Sequence, residues 1–568
     1  MKNNILFAGA LGLLSLGAFS SCESDYLDQQ PITSIGTSTA MGTTKAAKMA
    51  VLGMARAMYT QYYDLSAPRG ASGEGTFNYS YNEALSPDDC SYFLMGELGV
   101  NWYPWKSMAL QTSTYCESAW MYCYNFVGQA NTIIANIANA EGEVADKEFI
   151  EAQARTFRAF GYIKAMQWFG PRWQDSNNGE KASVVLRLEP GTGPAPLGTM
   201  NEVMQAIYDD LTEAERLFTS SGKSRQASYE PDIFVAYGLH ARAALIKNDW
   251  ATAKAMAHNA RQGRDVMSMQ EYFAGFIVEN DEYMWTNFDN DIYYSSPGSW
   301  FSCNGSYPCN WERGYSINID LYNQLDPNDM RRQLYFMPDR VAEIAQIPGY
   351  EDVATITAAD FWDENNTLVA EVNCMSSEKM VKLAKGFVQL AANNNPYSGI
   401  AQMVRWPYSM TPSADPTSMN FGASVKMWSY GNYNNSSYPY MRAAEMYLTE
   451  AEAAYMSNDI QTAKECLTAV NSKRIPNYVC STEGDALLNE IQITRRIELW
   501  GEGFGFPDAK RWNKGFEKRA FKAGDPTSGN CVATYAFSVD ASTNNGWRLA
   551  IPQQELDANP GIDRSQLK

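Results

Sequence analysis

EAQARTFRAFGYIKAMQWFGPRW, Glu151 to Trp173, is the stretch that decides how the chain is read. It predicts one helix buried over most of its surface. Glu151, Arg155 and Arg158 recur at i, i+4 and i+7 as a narrow polar stripe, and almost everything else is apolar. Ala154, Gly161 and Ala165 keep one line small enough for a neighbouring backbone to approach, while Phe157, Phe160 and Trp168 fill the flanking grooves. Gly170-Pro171 ends it, because proline has no N–H to continue the ladder. A helix of this kind needs partners on two sides, as inside a stack of helical pairs.

A repeat supplies the partners. Residues 243–254 read AALIKNDWATAK and residues 453–464 read AAYMSNDIQTAK, identical at seven of twelve positions without a gap. Each predicts the end of one helix, a tight Asn-Asp turn and the start of a second, the unit of tetratricopeptide-type repeats. Upstream the pattern predicts a helix from Thr44 to Tyr63, and one holding Trp120, Tyr124 and Asn131 before a Glu141-Gly142 turn. Val203, Ile207, Leu211, Ala214 and Phe218 share a helical face, and Pro231 is expected near the N1 position of the next helix. Regularity lapses from Arg264 to about Ser437 and resumes at Tyr440. The expected fold is mainly α within one domain, 22–568. A helical-repeat scaffold occupies about 120–263 and 440–512; a loop-rich body with few short strands occupies about 64–118 and 264–437.

The first 21 residues form a targeting segment: a Lys2-bearing start, an apolar core from Ile5 to Ala18, then Phe19-Ser20-Ser21 before Cys22. This is similar to a bacterial lipoprotein signal, in which Cys22 is acylated. A net charge of -19 excludes nucleic acid as a partner, since phosphate binding wants a basic surface. The ten cysteines show no CxxC spacing, and Cys116 and Cys123, seven apart on one helix, are too far separated to bridge. His240 and His258 are the only histidines, so His-based triads and metal sites are poorly supplied. No cofactor and no metal is expected; Asp289-Asn290-Asp291 is only a fragment of a calcium loop, because Tyr293 stands where a further ligand would be.

Four stretches carry a resemblance: ARTFRAFGYIKAMQWFGPRW at 154–173, RAAEMYLTEAEAAY at 442–455, RRIELWGEGFGFPDAKRW at 495–512 and RLAIPQQELDANPGI at 548–562. With LDQQP just after Cys22, this ordered set resembles the SusD/RagB family. One departure is Gly505, where that family commonly has arginine. The resemblance implies an outer-membrane surface lipoprotein of Bacteroidetes with a SusD-like fold, sitting as a lid on a SusC-like TonB-dependent transporter. It implies capture of oligosaccharide without chemistry, or of peptide in the RagB branch.

The residues themselves favour sugar. A sugar ring offers a C–H face for aromatic stacking and a fringe of hydroxyls for Asn, Asp and Arg. Ten aromatics run from Tyr283 and Trp285 to Tyr315, interleaved with Asn and Asp, and from them Tyr293, Tyr294, Trp300 and Trp311 are singled out with Arg313. A second cluster, Asn101, Trp102, Tyr103 and Trp105, lies near Asp88 and Asp89. These are the candidate ligand-binding residues. The carboxylate pairs Asp88-Asp89 and Asp289-Asp291 are the sequence's only hint of glycoside hydrolysis, and adjacent acids more often solvate a loop.

Overall fold

The structure, a computed structural model, describes residues 41–58, 89–92, 110–274, 279–287, 315–356, 439–520 and 547–567, with short further pieces within 382–426 and 522–540. Ten helices of eight or more residues organise the described chain: α1 Thr44–Ala57, α2 Thr114–Asn136, α3 Val144–Trp168, α4 Met200–Ser221, α5 Ile233–Lys247, α6 Trp250–Ala260, α7 Ala443–Met456, α8 Ile460–Asn471, α9 Gly484–Glu498 and α10 Gly505–Trp512. They stack in order, each of α2 to α8 packing on the next, so that α6 lies directly on α7 although residues 261–442 intervene. The helical array resumes where it stopped, as the repeat predicts.

α3 is the axis of the first half. Seventeen of its residues are buried, and it packs on α1, α2, α4 and α5. A Cβ on Gly161 would stand 2.8 Å from the Cys123 carbonyl of α2, so the small-residue line does admit a neighbouring backbone. The polar stripe is only partly the helix pair the spacing suggests. Arg155 does bond Glu151 (2.7 Å), but Arg158 is 5% exposed and turns inward to Asp210 of α4 (2.6 and 2.7 Å) and Asn131 of α2 (2.8 Å). A buried guanidinium so paired links three helices.

The repeated turns are built alike. Asn248 and Asn458 adopt the left-handed conformation (φ 58° and 60°), where asparagine is better tolerated than most residues. Asp249 and Asp459 then cap the next helix, accepting from the Thr252 and Thr462 amides. Equivalent backbone bonds close both turns, Asp249 N to Ala244 O (2.9 Å) and Asp459 N to Ala454 O (2.8 Å). Pro231 is not at N1: Asp232 is the cap of α5, so the proline precedes the helix. Tyr440 belongs to a strand rather than to the helix that follows.

Among the described residues, eight short strands form four antiparallel pairs: β1 (Cys90–Tyr92) with β5 (Tyr315–Ile317), β2 (Ala182–Val185) with β3 (Leu197–Thr199), β4 (Tyr283–Thr286) with β6 (Pro439–Arg442), and β7 (Phe516–Lys518) with β8 (Phe537–Val539). The chain's last segment folds back onto α3, with the Leu549 amide on the Trp168 carbonyl (2.7 Å). Buried residues from Ala47 to Ile562 share one hydrophobic cluster.

Candidate functional site

The β1–β5 ribbon relates the two aromatic-rich stretches. Its register sets Cys90 opposite Ile317, Ser91 opposite Ser316 and Tyr92 opposite Tyr315. Tyr92 is the last described residue before the 101–105 run, and Tyr315 is the first after the 288–314 stretch. The chain thus leaves the described residues toward one aromatic-rich run, and returns to them from the other, at one end of one ribbon.

That ribbon is held from below. The Asn530 side chain bonds both strands, accepting from Ser91 Oγ (2.7 Å) and donating to the Ile317 carbonyl (2.8 Å). The Asp89 carbonyl accepts from Asn318 N (2.9 Å) and Trp500 Nε1 (3.0 Å), and its carboxylate accepts from Arg496 Nε (2.5 Å). Sequence reasoning placed Asp89 among ligand contacts. At 4% exposure and bound to Arg496, it instead anchors β1 to α9, so its part in a site is support.

Beneath lies a buried ionic network that joins the irregular body to the helices. Glu498 of α9 bonds Arg474 (2.8 and 2.9 Å), Arg442 (2.9 Å) and Arg331 (3.0 Å). Arg442 also reaches Glu502 (2.7 and 2.8 Å) and Glu282 (2.8 Å), and Lys426 donates to Glu502 and to the Trp500 carbonyl, both at 2.7 Å. Burial drives the Glu498 carboxyl up, but Arg474 and then Arg442 outweigh it and hold the group well below the usual carboxylate range. Burial lowers the Lys426 ammonium to about 8 against the pull of Glu502. Glu282, Arg331 and Lys426 come from the irregular body, and Arg442, Arg474, Glu498 and Glu502 from the second helical half. Sequence reading missed this network. The signal was available as arginines and glutamates inside otherwise apolar runs such as RAAEMYL and RRIELW.

Of the other candidates read from the sequence, Cys22, Asp88, Asn101, Trp102, Tyr103, Trp105, Tyr293, Tyr294, Trp300, Trp311 and Arg313 lie outside the described residues. Two members of the aromatic cluster are corrected. Tyr283 and Trp285 are 3% and 0% exposed on β4, where the Trp285 ring packs edge-on to Phe160 of α3 (5.5 Å between centroids) and Tyr440 of β6 (5.6 Å). His240 and His258 bond Glu215 and Glu450, and no cluster among the described residues is arranged to hold a metal ion. Cys116 and Cys123 are buried and form no disulfide with each other; burial raises the Cys116 thiol to about 11.

A stacked helical scaffold carrying a long irregular insertion, pinned by a buried ionic core, defines a helical-repeat protein. The comparisons make the class specific. Residues 269–566 match the SusD family, and residues 26–245 match a SusD-like family described as starch-binding and associating with the outer membrane. The chain belongs to the SusD family. It is similar to a SusD-like carbohydrate-binding protein from Bacteroides vulgatus (18% identity, TM-score 0.69, covering 93% of this chain and 98% of that one). A SusD superfamily protein from Bacteroides thetaiotaomicron is similar at 19% identity and TM-score 0.62 (92% and 99% covered). Surface glycan-binding protein A from Bacteroides uniformis is similar at 15% and 0.57 (93% and 100%). No curated protein matches the chain.

Proposed function

We propose that this chain is a cell-surface lipoprotein, anchored through Cys22 in the outer membrane, that captures oligosaccharide and delivers it to a SusC-like TonB-dependent transporter. The observation that carries the reading is the Tyr92–Tyr315 register pair, from which the chain runs on toward the 101–105 run and to which it returns after the 288–314 stretch. Rings from the 101–105 run and the 288–314 stretch then stack on sugar faces, while Asn101 and Arg313 meet hydroxyl groups. The descriptions of the relatives from Bacteroides vulgatus and Bacteroides uniformis support a glycan as cargo. Among the described residues no helix is long and apolar enough to cross a membrane, which suits attachment through lipid. Catalysis has no part in this reading: the ligand is bound and passed on.

Calorimetry tests it. Trp102→Ala and Trp300→Ala should each weaken oligosaccharide binding by about tenfold, the loss of one stacked ring, with an unchanged melting temperature. Unchanged affinity in both variants, or selective binding of peptides, overturns the proposal. Deleting residues 288–314 should abolish glycan binding without releasing the transporter on co-purification; loss of both together contradicts the division between ligand face and helical face.

A further inference from the structure

A cavity of ≈ 160 Å³ lies where residues 548–551 and 566–567 cover the end of α3 and the β2–β3 ribbon. These elements are distinct from the β1–β5 ribbon. Phe169 and Leu197 supply apolar wall; Gln111, Ser183, Gln566 and Arg548 supply polar groups.

Arg548 is half-buried and bonds no carboxylate among the described residues. Its one hydrogen bond there is a long contact from Nη2 to the Leu567 carbonyl (3.5 Å), which leaves most of the guanidinium fork unused. Beside it Lys510, 5% exposed, gives its ammonium protons only to neutral acceptors, the carbonyls of Gln167 and Gly170 (both 2.7 Å) and Met166 (3.3 Å). Burial, and next the charge of Arg548, push the Lys510 ammonium well below its ordinary value. Elsewhere Arg442, Arg474, Arg495 and Arg511 each bond a carboxylate. In a chain of net charge -19, Arg548 is thus a half-buried cation with no carboxylate partner among the described residues. Desolvated charge of one sign is costly until an opposite charge arrives.

The shape narrows the class. A planar guanidinium matches a carboxylate with two parallel bonds. Two carboxamides suit hydroxyl groups, and the Ser183 hydroxyl, spent on the weak acceptor Met166 Sδ (2.9 Å), can be redirected to one. A cavity of about 150 Å³ admits a six-membered ring. We infer that this cavity binds a carboxylate-bearing sugar ring, with Arg548 on the carboxylate, Gln111 and Gln566 on hydroxyls and Phe169 against the ring.

Calorimetric titration of the purified chain with sodium D-glucuronate, D-glucose and inorganic phosphate tests this. Glucuronate should bind, more tightly than phosphate and with an affinity that falls as salt rises; glucose should bind at least tenfold more weakly. Arg548→Gln should weaken glucuronate at least tenfold. Gln566→Ala, at an exposed position where folding is not at risk, should weaken it several-fold and carries the test if the arginine variant fails to fold. Absence of binding, equal affinity for glucose, phosphate binding as tight as glucuronate, or unchanged affinity in both cavity variants each overturns the assignment.

Discussion

Glu498 has no solvent exposure and faces three guanidinium groups, those of Arg331, Arg442 and Arg474. Because its folded pKa lies below the ordinary value of 4.5, its contribution to stability is present above pH 4.5 and lost as pH falls toward the lower folded value. Glu498→Gln leaves three buried cations short of a partner and should cost about 3–5 kcal/mol, read by urea denaturation at pH 7. Lys164 works with the opposite sign. Burial, and then Arg242, lower its ammonium from 10.5 to about 7. The unfolded chain therefore holds this proton where the folded one has released it, so stability rises as pH climbs from about 7 toward 10.5. Below about 7 the penalty is complete. Lys164→Met removes it: the variant should melt higher than the parent at pH 6, and the slope between pH 7 and 10 should flatten. An unaltered slope refutes the assignment.

Helices were legible wherever their periodicity was long. The Asn-Asp turns were legible too, since a left-handed residue followed by a capping carboxylate leaves a fixed dipeptide. The direction of Arg158 was not legible, because its spacing from Glu151 is equally compatible with solvent and with Asp210 of α4. Gly161 gives the most direct check of α3. In an open helix Gly→Ala gains about 1 kcal/mol. Here the new methyl would meet the Cys123 carbonyl at 2.8 Å, a backbone atom that cannot rotate away. Gly161→Ala should therefore destabilise by about 1–3 kcal/mol in chemical denaturation, and stabilisation would show that α2 and α3 are not so closely apposed. The strands, three or four residues long and paired across distances such as that from Cys90 to Ile317, carry no local signal that could announce their partners. Tyr283 and Trp285 went to the core for this reason: β4 pairs with β6 beside α3, and composition alone reads any aromatic-rich run as surface and core alike.

Taken together, α6 and α7 carry the stack across the insertion; Arg242 of α5 bonds Glu445 of α7 (2.7 Å), Lys254 of α6 the α8 cap Asp459 (3.1 Å), and Arg261 at the end of α6 bonds Glu450 of α7 (2.6 Å). The insertion is pinned in turn by the Glu498 network, and the β1–β5 ribbon by Asn530, Arg496 and Trp500. The proposed capture of sugar requires support of this kind, because rings stacked on a sugar hold it only when their own positions are fixed. Composition named the aromatic stretches; only the register of β1 with β5 relates them to each other. The most direct measurement is a glycan and peptide array probed with the parent chain and with the Trp102→Ala/Trp300→Ala double variant. The parent should bind a defined set of glycans and no peptides, and the double variant, with an unchanged melting temperature, should lose those signals. Binding confined to peptides, or glycan signals undiminished by removal of both indoles, would contradict capture of sugar by these two stretches.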